Sequence, residues 1–212
     1  MDQSIEFHRK ALAIYEKTLG TRHPDVSDVY NGLGVTYFSK GEYDRAIEFL
    51  EKSHAIRLET LGAEHPKTIS SYGNLGIIYV QNGAYDQAIE NFEKSLDLLS
   101  NSLGVDHHDL AGSYNNLGIA HFKKGEYEQA IIHNEKALSL WMKAFGSDYI
   151  HLTLAYENLG DIYLAQNKYD NARMNYEKAY DIALVKLGSD HPETIKFAAQ
   201  RTKTENLMAG MD

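Results

Sequence analysis

The chain has 212 residues, 43% hydrophobic and 24% charged, enough to bury a sizeable core and ordinary for a globular protein. Its formal charge of −9 argues against a surface that tracks nucleic-acid phosphates, so neither DNA nor RNA is an expected partner. No cysteine is present for disulfide, thiolate-zinc or redox chemistry; no long apolar run and no leader-like start suggest a membrane, so the chain is expected to be soluble and cytoplasmic.

Residues 1–20 read as the second half of a repeated unit whose first half is missing. Ile5, Ala11, Leu12 and Ile14 stand 42 positions before Ile47, Ser53, His54 and Ile56, and Leu19-Gly20 closes the segment. Four complete units follow at 21–62, 63–104, 105–146 and 147–188. Each carries Tyr-x-x-Leu-Gly, at Tyr30/Leu33/Gly34, Tyr72/Leu75/Gly76, Tyr114/Leu117/Gly118 and Tyr156/Leu159/Gly160, and each ends on a glycine after an apolar residue (Gly62, Gly104, Gly146, Gly188). A fixed interval of this size marks an array, in which no unit buries its apolar side alone. The tail opens like another unit with His191-Pro192-Glu193-Thr194, but Arg201 and Thr202 stand where Leu159 and Gly160 stand one interval earlier. Residues 189–212 are therefore expected to be a capping helix and tail.

Within a unit, the loop Leu61-Gly62-Ala63-Glu64-His65-Pro66 stops one helix at a glycine and starts the next at a proline, whose missing N–H costs nothing in a first turn. All three prolines, Pro24, Pro66 and Pro192, occupy this slot. The first helix sets Tyr72, Leu75, Gly76 and Tyr79 at i, i+3, i+4 and i+7 as one buried stripe, which leaves Ser70, Asn74, Ile77 and Gln81 pointing away. The second helix begins near Tyr85 and carries Ala88, Ile89, Phe92, Leu96 and Leu99 toward the same core. Glycine inside a helix costs about 1 kcal/mol against alanine. Gly34, Gly76, Gly118 and Gly160 are therefore expected to permit a close approach of the partner helix, with Ala46, Ala88, Ala130 and Ala172 facing them.

Tyr-x-x-Leu-Gly-x-x-Tyr, then Gly-x-Tyr-x-x-Ala, then a small residue seven positions on (Ser53, Ser95, Ala137, Ala179) resembles the tetratricopeptide repeat, in a lengthened form similar to kinesin light chain repeats. The resemblance covers nearly the whole chain. It implies an all-α fold, a right-handed α-α superhelix (solenoid) of antiparallel helix pairs, with first helices lining a concave groove. By that resemblance the groove column is Asn31, Val35 and Phe38, with Asp28, in the first complete unit. Asn74, Ile77, Val80 and Gln81 belong to the second; Asn115, Asn116, Ile119, Phe122 and Lys123 to the third; Glu157, Asn158 and Asp161 to the fourth. In similar repeats the asparagine before Leu-Gly contacts ligand backbone, an amide offering both donor and acceptor; here Asn74, Asn116 and Asn158 would do so, or would bond instead to a neighbouring helix or water. Val35, Ile77 and Ile119, flanked by Phe38, Val80 and Phe122, either form an apolar binding stripe or pack on adjacent units. Glu157 and Asp161 make one end of the column acidic and Asp28 the other, which suits a ligand with an apolar middle and a basic residue at one end. The family's chaperone-tail binders place lysines four residues before the groove asparagines; Asp28, Ser70, Gly112 and Leu154 stand there, so an acidic chaperone tail is not the expected ligand.

The expected function is a protein-protein interaction scaffold or adaptor that holds an extended peptide or partner helix. The alternative is a structural self-assembly module acting through its ends and convex face. Part of Ile5, Phe7, Leu12, Ile14 and Tyr15 is expected to be exposed on the unpaired first helix, which suggests a homodimer. No cofactor, metal site or enzymatic activity is expected. His23, His65, His107 and His191 share one loop slot and read as caps, including His107 in the dense Asp106-His107-His108-Asp109 cluster, and Trp141 reads as packing.

Overall fold

The computed structural model describes residues 2–210, and these form ten α-helices and no strand. The helices are α1 (Asp2–Leu19), α2 (Pro24–Ser39), α3 (Tyr43–Leu61), α4 (Pro66–Gln81), α5 (Tyr85–Leu103), α6 (Leu110–Lys124), α7 (Tyr127–Phe145), α8 (Leu152–Ala165), α9 (Tyr169–Leu187) and α10 (Pro192–Ala209). The chain divides into two compact units, Met1–Leu103 and Gly104–Asp212. In the first, α2 packs on α3 and α4 on α5, with α1 against α2 and α3 against α4; in the second, α6 pairs with α7, α8 with α9, and α10 closes on α9.

Local chemistry sets the helix limits. His23, His65 and His191 cap α2, α4 and α10, each imidazole Nδ1 accepting the backbone N–H two residues on, at 3.2, 3.1 and 3.3 Å, with proline in the first turn. The turn inside each pair needs a left-handed residue. Gly83 supplies it at φ 78°, and in the last pair Asn167 does so at φ 58°, asparagine being the side chain that best tolerates that region after glycine.

The helix-interior glycines do admit the partner helix closely, and at Gly34 the expected Ala46 faces the gap, its carbonyl 3.2 Å from where a Cβ would lie. Ala46, Ala88, Ala130 and Ala172 are fully buried, but the space at each glycine is filled by a side chain one turn further along the second helix. A Cβ on Gly76 would lie 2.5 Å from the Phe92 ring, one on Gly160 2.5 Å from the Tyr176 ring, and one on Gly34 2.6 Å from Leu50 Cγ; at Gly118 it would collide with the Asn134 amide. Each glycine is a socket and residues 50, 92, 134 and 176 are the plugs. In the first unit the plug joins a core of Ile5, Leu33, Tyr37, Ala46, Leu50, Leu75 and Ile78. Tyr72 and Tyr79 flank the buried stripe only half-buried, and Tyr79 donates its hydroxyl to Glu51 at 2.7 Å. The small residue seven positions after the alanine is also buried: Ser53 donates to the Ser27 carbonyl at 2.7 Å and Ser95 to that of Ile69 at 3.4 Å, so these hydroxyls are satisfied inside the packing.

Two glycines of α4 are expected to respond oppositely. Gly76→Leu would have to displace the buried Phe92 ring and should lower unfolding free energy by about 1–3 kcal/mol. Gly73→Ala meets nothing within 4 Å and should raise it by about 0.5–1 kcal/mol through helix propensity. Urea titrations of both variants decide the matter.

Candidate peptide-binding surface

The first-helix faces differ between the two units. In the first unit, Val35 on α2 is 48% exposed and Ile77 on α4 is 40% exposed at equivalent positions, with Gln81 exposed and Asn31, Phe38 and Asn74 half-buried nearby. Among the described residues the Asn74 side chain makes no hydrogen bond, and Asn31 Oδ1 is buried without a partner. Val80 does not belong to the open face. It is buried, on the side of α4 between the half-buried Tyr79 and the exposed Gln81. Asp28 is exposed but is not a free acidic end. It accepts from the buried guanidinium of Arg57 at 2.9 Å and from Lys67 Nζ at 2.8 Å. Burial pushes its carboxyl up, yet the hydrogen bonds and charges of Lys67 and Arg57 outweigh that and hold it below the ordinary aspartate range.

In the second unit, Asn116, Ile119 and Phe122 on α6 are half-buried and Lys123 is exposed. Asn115 is a correction to the column: it is only 7% exposed, since it lies on the side of α6 that meets α8. There its Oδ1 accepts from Asn158 Nδ2 at 2.9 Å, and the same amide donates to Asn134 Oδ1 at 3.1 Å, while Asn134 donates to the Ala130 carbonyl at 2.8 Å. Asn158 is thus held in an internal amide ladder. Asn116 makes no hydrogen bond among the described residues and keeps its amide available.

The acidic pair is also shared out. Glu157 accepts from Lys196 Nζ at 2.7 Å and Gln200 Nε2 at 3.1 Å, both on α10. Asp161 accepts from the Tyr176 hydroxyl at 2.6 Å, which ties this surface to the plug in Gly160. Burial pushes the Asp161 carboxyl above the ordinary aspartate range and Glu157 adds to the push, against the Tyr176 hydrogen bond and the charges of Lys123 and Lys196.

Between the first turns of α6 and α8 lies a cavity of about 430 Å³ that the sequence did not reveal, with Asn115 and Asn116 on its wall. Its aromatic rim includes Trp141, buried at 8% exposure, which packs as expected and also lines this space. His107, His108 and Asp109 bring three possible ligand atoms within 4.8 Å of one another. His107 Nδ1, however, accepts the Asp109 backbone N–H at 3.3 Å; the expected cap is corrected here, because α6 starts at Leu110 with Asp109 as its N-cap and no side-chain capping bond, which leaves His107 in the turn before it. At the other end of the chain, Phe7, Ile14 and Tyr15 of α1 are exposed, whereas Ile5 is buried and Leu12 half-buried against the first-unit core.

Antiparallel helix pairs locked by one recurring socket define a helical repeat protein. The chain belongs to the tetratricopeptide repeat family, whose model matches residues 1–59, 28–101, 67–143, 109–185 and 151–196 in overlapping frames. It is similar in structure to the nearly identical TPR-like repeats of a Podosopora anserina protein described as a kinesin light chain, at TM-score 0.76 and 25% identity over 88% of each chain. It is similar also to BtubC (BKLC) from P. vanneervenii, at TM-score 0.74 and 25% identity over 88% of this chain and 74% of that one. The apo form of RapI shares the fold, at TM-score 0.74 and 19% identity over 97% of this chain and 58% of RapI. None of the curated proteins matches the chain. Tetratricopeptide repeats generally mediate protein-protein interaction or scaffolding and are typically non-enzymatic. Among the described residues no helix is long and apolar enough to cross a membrane.

A raised carboxyl pKa means that the folded state binds the proton more tightly, so Asp161 subtracts stability as pH rises from its unfolded to its folded pKa. Asp161→Asn keeps an acceptor for Tyr176 and removes the charge. It should be more stable than the parent at neutral pH, with the gap closing below about pH 4; urea midpoints measured across that range test this.

Proposed function

We propose that the first helices form walls that hold an extended peptide or a partner helix, with asparagine amides meeting its backbone and the exposed Val35 and Ile77, together with half-buried Ile and Phe side chains, choosing among its residues. The observation that carries this reading is the pairing of Val35 and Ile77, exposed at the same position of successive first helices, beside the unbonded amide of Asn74. Covering the exposed part of such side chains gains about 25 cal/mol per Å² of apolar surface. Asn31, Phe38 and Gln81 extend the wall in the first unit; Asn116, Ile119, Phe122 and Lys123 supply it in the second, with Glu157 and Asp161 at its polar end. The likeness to kinesin light chain repeats supports an adaptor role, in which the module displays a partner and transforms nothing. Asn158 and Asn115 act from behind, fixing α6 against α8.

Peptides selected from a random library on the parent chain should bind Asn116→Ala/Ile119→Ala at least about tenfold more weakly, as loss of central contacts does. Circular dichroism should stay unchanged, with a small fall in melting temperature from the half-buried Ile119. Equal binding by the double variant would remove Asn116 and Ile119 from the site.

A second reading rests on a different surface. Phe7 is 72% exposed on α1, in line with Ile14 and close to Tyr15, an apolar face that a second copy of the chain would cover. Sedimentation at high micromolar concentration should then show a dimer that Phe7→Glu/Ile14→Glu dissociates. A monomer for the parent chain would exclude this reading.

A further inference from the structure

The cavity between α6 and α8 is built from departures from the chain's own repeat. Proline opens α2, α4 and α10, but His108 takes that slot before α6, where α8 has Ile150. Without a proline to fix the first turn, both helices begin two residues later in the repeat, at Leu110 and Leu152, and the residues before them are left in turns. Tyr149 stands where the other units have His23, His65, His107 and His191. Phe145 stands where they have Leu19, Leu61, Leu103 and Leu187, and Trp141 stands where they have Tyr15, Arg57, Leu99 and Ala183. The fold does not need these aromatics, since the same positions pack with other residues elsewhere in the chain.

All of them converge. Phe145 and Tyr149 lie 4.3 Å apart by ring centroid, His108 lies 4.9 Å from Phe145, and Trp141 lies 6.4 Å from Tyr149 and 6.0 Å from His151. Asp109 is the one carboxylate on the lining, which holds no lysine or arginine. His108 Nδ1 sits 3.0 Å from Asp109 Oδ1, and a carboxylate has lone pairs left for further donors. Aromatic faces attract a cation through the ring quadrupole, and a planar, weakly hydrated guanidinium both stacks on rings and forks onto a carboxylate.

We propose that this cavity is a pocket for an arginine side chain, with the aromatic rim stacking on the guanidinium and Asp109 pairing with it. Asn116 joins the pocket to the peptide wall, and assigning the arginine to a bound peptide rests on the function proposed above. The overall charge of −9 favours a cationic visitor from a distance as well.

Trp141 is the only tryptophan in the chain, so its emission reports on this pocket alone. N-acetyl-arginine amide is too short to span the wall, which separates this test from that of peptide capture. Titrating it should give a saturable change in emission, and N-acetyl-citrulline amide, the neutral counterpart, should bind about tenfold more weakly or worse. Asp109→Asn should weaken the arginine probe by about five- to tenfold. Phe145→Leu and Tyr149→His, which restore the residues of the other repeats and so should fold, should weaken it similarly. The proposal is overturned by equal binding of the citrulline probe, by parent-like binding in Asp109→Asn, or by a parent chain of native circular dichroism whose emission does not saturate.

Discussion

The structure depends on the contact between a helix-interior glycine and the large side chain that enters its place from the partner helix. Without a Cβ at 34, 76, 118 and 160, the backbone of the first helix is open where residues 50, 92, 134 and 176 arrive, and the buried alanine one turn earlier lets the second helix close the distance. The glycine weakens its own helix by about 1 kcal/mol, and burying a ring or a branched side chain contributes roughly 1.5–3 kcal/mol in return. The pair is therefore stable as a pair, while either helix alone would be marginal.

The identity of the plug governs how each surface is wired. Leu50 and Phe92 are apolar, and the amide of Asn74 on the neighbouring first helix stays unbonded. Asn134 is polar, so it must be satisfied where it is buried, and it recruits Asn158 and through it Asn115. Tyr176 brings a hydroxyl that reaches Asp161. Residues on the outer face are thus fixed by a choice made inside the helix pair.

This wiring explains what was legible in the sequence and what was not. Spacing alone exposed the interval, the stripe, the turn glycines and the caps at His23, His65 and His191, because each depends on residues within a few positions of one another, though not the turn that displaces His107. It could not separate Asn158 from Asn116, which look alike in the repeat. Their fates depend on residues 134 and 115, which meet Asn158 only once the helices have packed. Facing small residue to small residue placed Ala46 beside Gly34, where its carbonyl does lie, but missed Leu50, which arrives from the next turn and fills the hole. Asp28 looked like a free acid until Arg57 and Lys67 were brought to it from 29 and 39 positions away. The aromatic cavity escaped notice for a related reason. Trp141, Phe145 and Tyr149 each pass as ordinary packing, and only their meeting distinguishes them.

The delayed helix starts at Leu110 and Leu152 have an evolutionary consequence. Residues 107–109 and 149–151 lie outside any helix, and none of them serves as a plug or a socket. Selection can rewrite them without loosening the stack, so a lineage that kept its scaffold intact could acquire a new ligand preference by exchanging a handful of turn side chains.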